Sequence, residues 1–151
     1  MKSLQQHFIG YQYFLQFLAR NFIERDDLLE QCDCSALSLD IHKALSYIES
    51  HLIENPNVED IALHCGLSTT KFHTYFKEEM GITPHAYMII RKIEIAKTRL
   101  IQSDVSITEL AYELNFSSSD YFSTVFKKYT GESPTEFRCY RQYNTISLKN
   151  P

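Results

Sequence analysis

The sequence contains little glycine or proline, four of each in 151 residues, and this scarcity argues against an all-β fold built on many tight turns. Four cysteines, at positions 32, 34, 65 and 139, are too few and too scattered for the disulfide scaffold of a small secreted protein. No apolar run is long enough for a membrane span or a signal peptide, because Gln12, Gln16 and Arg20 interrupt the aromatic N-terminal stretch. We therefore expect a reduced, cytoplasmic protein with no membrane contact.

Positive charge is not in excess either. The chain has 15 basic and 19 acidic residues, a net charge of −4, whereas nucleic-acid-binding domains are usually basic. Residues 1–40 contribute three basic and six acidic residues, a charge of −3, and residues 41–151 contribute 12 basic and 13 acidic residues, a charge of −1. The acidity therefore lies mostly in the N-terminal segment and does not exclude DNA binding by the rest of the chain.

The N-terminal segment has the apolar spacing of an amphipathic helix. From residue 4 to residue 23, large apolar side chains recur at intervals of three and four. Two interpretations stay open: a helix for dimerisation or for docking to a partner, and a helix that folds back as extra core. We predict an N-terminal helical segment over residues 1–38, followed by a domain over residues 39–145.

Within that domain one motif occurs twice, and the repeat is the most informative feature of the sequence. Copy one is VEDIALHCGLSTTKFHTYFKEEMGITP, and copy two is ITELAYELNFSSSDYFSTVFKKYTGESP. The interval from Ala62 to Phe76 is 14 positions, and the equivalent interval from Ala111 to Phe126 is 15. We place the extra residue of copy two in a turn.

Each copy predicts a short helix, a tight turn and a second helix. Asn57 and Ser106 are expected N-caps, the latter in a capping box with Glu109. Gly66 and Asn115 lie where the chain needs a positive φ. The predicted fold is all-α, with helix-turn-helix units over residues 57–80 and 106–130 joined by a long linker helix over residues 84–102.

A helix-turn-helix places the N-terminal part of its second helix against base edges in the DNA major groove. We expect Phe72, Tyr75 and Phe76 to point inward in copy one, and Tyr121, Phe122, Val125 and Phe126 in copy two. Polar side chains on the outer faces can read base edges, and the lysines at positions 71, 77, 127 and 128 can hold phosphates. We expect the positive charge of the domain to cluster on these two helices and at Arg91 and Lys92. The candidate DNA-binding residues are Thr69, Thr70, Lys71, His73, Thr74, Lys77, Ser118, Ser119, Asp120, Ser123, Thr124, Lys127 and Lys128.

These motifs resemble the DNA-binding domain of the AraC/XylS family of bacterial transcription regulators. The resemblance covers roughly residues 39–143 and rests on ALHCGLSTTKFHTYFKEEMGITP, on RKIEIAKTRL and on the second unit ending FKKYTGESPTEF. It implies a seven-helix module with two lobes. It also implies two recognition helices that enter successive major grooves, about 34 Å apart.

The sequence departs from the family pattern at three outer positions. Many members carry arginine where Thr74 and Thr124 stand, and rarely an acid at the place of Asp120. Threonine cannot reproduce the bidentate contacts of arginine. We therefore expect copy one to carry most of the affinity, and binding to be weak at physiological salt unless a second protomer adds avidity.

Other functions find less support in the sequence. Cys32 and Cys34, with Cys65, His64 and His42, suggest zinc, but their spacing matches none of the usual structural zinc patterns. No arrangement typical of a catalytic site is present, so we expect neither an enzyme nor a cofactor. The expected partners are double-stranded DNA, RNA polymerase for an activator, and a second protomer through the N-terminal helix. The alternative is a protein-interaction co-regulator of DNA-binding ancestry.

Overall fold

The computed structural model describes residues 38–139, which are helical apart from short connections. No strand occurs in this range, so the predicted all-α fold is confirmed. None of the helices in the same range is long and apolar enough to cross a membrane. The helices are α1 (Leu39–His51), α2 (Val58–His64), α3 (Thr69–Met80), α4 (Pro84–Gln102), α5 (Ile107–Glu113), α6 (Ser119–Thr130) and α7 (residues 134–139), with a 3₁₀ turn at Leu52–Glu54.

The helix predicted over residues 4 to 23 lies outside the described residues, and so do Cys32 and Cys34. The division into a segment over residues 1–38 and a domain over residues 39–145 therefore stays a prediction.

The described chain forms two compact units, and the boundary falls between Arg91 and Lys92, inside α4. Each unit has its own core, in which one alanine from the first helix of the motif and two phenylalanines from the second are buried. The fully buried core of unit 1 includes Ile41, Ala44, Ile48, Ile61, Ala62, Phe72, Phe76 and Tyr87, and that of unit 2 includes Ile93, Ala96, Leu100, Leu110, Ala111, Phe122 and Phe126.

The expected helix caps are present. The side chain of Asn57 accepts a hydrogen bond from the backbone N–H of Asp60 at 2.7 Å. Ser106 and Glu109 form a capping box, in which each side chain accepts from the backbone N–H of the other residue, at 3.1 and 3.0 Å. These bonds satisfy backbone donors that helices α2 and α5 would otherwise leave without partners at their first turns.

The turns of the two motifs begin in the same way and then diverge. Gly66 and Asn115 have φ values of 71° and 54°, as expected for the left-handed residue that ends each first helix. The next backbone N–H, of Leu67 or Phe116, donates to the carbonyl of Ala62 or Ala111 at 2.9 Å in both units. Helix α3 begins two residues after Leu67, whereas α6 begins three residues after Phe116. The extra residue of the second unit therefore follows Phe116, in the turn.

A nearly buried polar cluster joins α1 to the first half of α4 inside unit 1. The Nε and Nη2 of Arg91 donate to Oε1 and Oε2 of Glu49 at 2.7 and 3.0 Å. The hydroxyl of Tyr87 donates to the same Oε1 at 2.9 Å. Burial, and then the charge of Glu49, raise the pKa of the Tyr87 hydroxyl well above its usual value.

Candidate nucleic-acid interface

Helix α3 presents a polar outer face over a buried apolar one. The side chain of Ser68 caps the helix by accepting the backbone N–H of Lys71 at 3.4 Å. Phe72, Phe76 and Met80 are buried at spacings of four, which turns the positions between them outward. Of the residues predicted for this interface, Thr69 is half-buried and the exposed ones are Thr70, Lys71, His73, Thr74 and Lys77.

Helix α6 has the same arrangement in the second unit. Ser118 is its N-cap and accepts the backbone N–H of Tyr121 at 3.1 Å, so this predicted interface residue also has a structural role. Phe122, Val125 and Phe126 are buried. Of the other predicted residues, Ser119 and Ser123 are half-buried, and those that are exposed are Asp120, Thr124, Lys127 and Lys128.

The lysines of α3 and α6 differ from the other basic side chains in residues 38–139. Lys71, Lys77, Lys127 and Lys128 form no ion pair with any described acidic residue, whereas the four ion pairs of this range are Lys43–Asp40, Arg91–Glu49, Lys97–Glu94 and Arg99–Glu113. Arg138 donates to the backbone carbonyl of Val105. The exposed lysines of α3 and α6 are thus the exposed lysine and arginine side chains of this range that pair with no described acidic residue.

The expectation that Arg91 and Lys92 add to this positive surface is wrong. Arg91 is held by Glu49, as described above. Lys92 is 1% exposed, with its Nζ 5.5 Å from the centre of the Phe116 ring, and burial lowers its pKa to about 8. Sequence spacing does not reveal this, because a lysine between apolar residues of a helix has the same pattern whether its end group reaches solvent or not.

Two tyrosines expected in the core are exposed. Tyr75 is 37% exposed, and Tyr121 is 46% exposed. Three buried side chains on each helix already fill the apolar stripe, so a tyrosine beside the stripe is only partly buried. The Tyr75 ring lies 5.2 Å from Nζ of Lys71, and the Tyr121 ring lies 6.1 Å from the ring of Phe116.

Because both tyrosines are exposed, we add them to the candidate interface. The internal repeat predicts the exposure of one of them. Tyr121 of copy two occupies the position of Lys71 in copy one, which is an outer position. Tyr75 matches Val125, which is 8% exposed, so the repeat gives no such indication for Tyr75.

The cysteine and histidine residues of the zinc hypothesis do not form a ligand cluster within residues 38–139. Cys65 is buried, and its thiol donates a hydrogen bond to the backbone carbonyl of Asp40 at 3.4 Å. Burial raises the pKa of this thiol. Cys65 thus behaves as a small apolar core residue.

The chain is similar to helix-turn-helix proteins, both in a family model and in individual relatives. The family model described as a helix-turn-helix domain matches residues 43–139. The HTH-type transcriptional activator RhaS of Escherichia coli is 30% identical over 125 residues, which are 83% of this chain and 44% of RhaS. The chain spans about two-fifths of the length of the curated relatives it matches.

Two solved structures extend the similarity to the fold. The C-terminal domain of AraT, a response regulator from Geobacillus stearothermophilus, has a TM-score of 0.66 and 29% identity, covering 70% of this chain and 88% of that one. The DNA-binding domain of AdpA, a global transcriptional factor solved in complex with a target DNA, has a TM-score of 0.66 and 25% identity. The match covers 71% of this chain and 96% of the AdpA domain.

Proposed function

We propose that this chain, which belongs to the AraC-type helix-turn-helix family, is a sequence-specific regulator of transcription that binds double-stranded DNA through helices α3 and α6. In this proposal the two helices enter successive major grooves, and the bound protein activates transcription through contact with RNA polymerase. The name of the relative RhaS, a transcriptional activator, and the DNA complex of AdpA support this direction.

One observation carries the proposal: the exposed lysines that form no ion pair with a described acidic residue lie on the two helices expected to read DNA. They accompany exposed hydroxyl and imidazole groups, which can exchange hydrogen bonds with base edges. Phosphate contacts from lysines set position and affinity, whereas base contacts set sequence preference. Each helix therefore offers both kinds of contact.

The number of available lysines sets the expected salt dependence. Each phosphate neutralised on duplex DNA contributes about −0.9 to the slope of log K against log salt concentration. If Lys71, Lys77, Lys127 and Lys128 each hold one phosphate, they supply a slope of about −3.6. Four phosphate contacts give modest affinity, and a slope of about −3.6 lowers it by roughly 150-fold between about 50 and 200 mM salt.

The test is fluorescence anisotropy of the full chain with duplexes selected from a random library, at several salt concentrations. We expect Lys71→Ala to weaken binding to all sequences and to reduce the magnitude of the slope by about 0.9. His73→Ala should relax the preference at one base pair, and Asp120→Ala should alter binding by the second unit. Lys43→Ala is the matched control, because Lys43 is paired with Asp40 on α1. Unchanged binding in all three test variants would show that this surface does not contact DNA.

A second function, a co-regulator that binds proteins rather than DNA, has one structural observation in its favour. Leu63 and Tyr112, at equivalent positions of α2 and α5, are 78% and 65% exposed. The buried centre of a protein–protein interface is enriched in apolar and aromatic side chains, and these two residues are of that kind. The same titration distinguishes the two functions, since a co-regulator of this kind would show weak or no affinity for duplex DNA even at low salt, and no salt dependence that changes with Lys71→Ala.

A further inference from the structure

The outer faces of α3 and α6 share a threonine at the same repeat position, held in the same way. The hydroxyl of Thr74 donates to the backbone carbonyl of Thr70 at 3.1 Å. The hydroxyl of Thr124 donates to the backbone carbonyl of Asp120 at 2.9 Å. Both threonines are exposed, and each lies three residues before a lysine in the last turn of its helix, Lys77 or Lys127.

These bonds determine what each threonine can offer a ligand. A hydroxyl has one proton and two acceptor lone pairs, and here the proton is used within the helix. The side chain then has no donor left, and it presents an oxygen acceptor and a γ-methyl group. Because Oγ1 is directed at the carbonyl one turn earlier, the methyl group occupies the other branch of Cβ, on an exposed side chain.

The base pairs differ in whether their major-groove edges can form a favourable contact with such a side chain. In the major groove guanine shows two acceptors, N7 and O6, and a side chain without a free donor cannot satisfy either of them. Thymine shows its C5 methyl group, which makes an apolar contact with a threonine methyl group. An arginine at this position would favour guanine, so the threonine reverses the preference.

We propose that Thr74 and Thr124 are specificity-determining residues that each read the methyl group of a thymine and disfavour guanine at that base pair. The inference rests on the proposed function, since it assigns a base preference to helices α3 and α6.

Deoxyuridine substitution tests it, because deoxyuridine pairs like thymidine and lacks only the methyl group. A duplex selected by the full chain is prepared with each thymine replaced in turn. We expect one replacement for each threonine to weaken wild-type binding about four-fold, the effect of losing one buried methyl group. Thr74→Ser should make the chain insensitive to its thymine, whereas Thr74→Val should keep the sensitivity. Thr124→Ser and Thr124→Val should act in the same way on a second thymine.

Thr98 provides the matched control. It is exposed on α4, and its hydroxyl donates to the carbonyl of Glu94 at 3.2 Å, the same bond outside the recognition helices. Thr98→Ser should leave every deoxyuridine effect unchanged, and circular dichroism should show that all variants are folded.

The outcomes separate this inference from the proposed function. If the chain binds a selected duplex but no thymine methyl effect depends on Thr74 or Thr124, the inference is refuted while the proposed function stands. The inference is also refuted if the selected site has guanine at the base pair whose preference changes in the Thr74 or Thr124 variants. If the chain selects no duplex at all, it is the proposed function that fails.

Discussion

Replacing Glu49 should destabilise unit 1 far more than the loss of an exposed ion pair would. Glu49 accepts three hydrogen bonds, two from Arg91 and one from Tyr87, and its side chain is only 18% exposed. The Arg91 side chain is 13% exposed, so neither charge is well solvated. Removing one member of a buried pair costs about 3–5 kcal/mol, because the other charge stays in a poorly solvating site. Allowing for the residual exposure, we expect Glu49→Gln to lower the free energy of unfolding by about 2–4 kcal/mol.

The assay is urea unfolding followed by circular dichroism at neutral pH, with the midpoint and the slope fitted separately. Glu113→Gln is the matched control, because Glu113 forms a comparable bond with Arg99 at 2.8 Å while both side chains are nearly half exposed. Exposed pairs contribute about 0–1 kcal/mol. If the two variants lose the same stability, burial of the Glu49–Arg91 pair has no energetic weight, and the reasoning is refuted.

Two further predictions concern pH and the turn of unit 1. The folded-state pKa of Lys92, about 8, is below the unfolded value of about 10.4, so at this site the unfolded chain binds more protons, and the stability cost of burying Lys92 should fall by up to roughly 2 kcal/mol between pH 8 and pH 10. The raised pKa values of Cys65 and Tyr87 act in the opposite direction, so the quantity to measure is the stability of the wild type minus that of Lys92→Met, from urea unfolding at several pH values. This difference should rise with pH, and parallel profiles would contradict it. Gly66→Ala should cost about 1–2 kcal/mol, since φ is 71° although a Cβ would meet no atom within 4 Å. Gly66→Asn should cost less, as Asn115 tolerates the same conformation, and equal losses by thermal unfolding would count against backbone strain as the cause.

Local features of the two motifs could be predicted because each depends on a few neighbouring residues. The side chains of Asn57 and Ser106 cap the helices that follow them because a short polar side chain reaches a nearby backbone N–H. The bounds of α4 are those of the predicted linker helix, Pro84 and Gln102. A proline at the first helical position and an apolar periodicity define such a helix without tertiary information.

Features that depend on three-dimensional neighbours could not be predicted. Arg91 and Lys92 are adjacent basic residues in the sequence, but one pairs with Glu49, 42 positions away, and the other is buried near Phe116. The exposure of Tyr75 likewise depends on how much of the apolar stripe its neighbours already fill. Periodicity identifies the face of a helix, but it does not say where that face stops being buried.

The outer positions of α3 and α6 differ more than the positions that hold the two helices of each unit together. The scaffold positions match, down to the hydrogen bond that begins each turn, because both units must pack the same two helices. Three outer positions differ: Thr70 corresponds to Asp120, Lys71 to Tyr121 and His73 to Ser123. The acidic side chain of Asp120 lies in the first turn of α6, where the helix dipole favours it and a phosphate would oppose it. Under the proposed function the two units therefore read unlike half-sites with unlike strength. The two helices share a lysine, Lys77 or Lys127, proposed for phosphate contact, and the threonines Thr74 and Thr124, proposed for base contact, so a preference for thymine is what the two half-sites have in common.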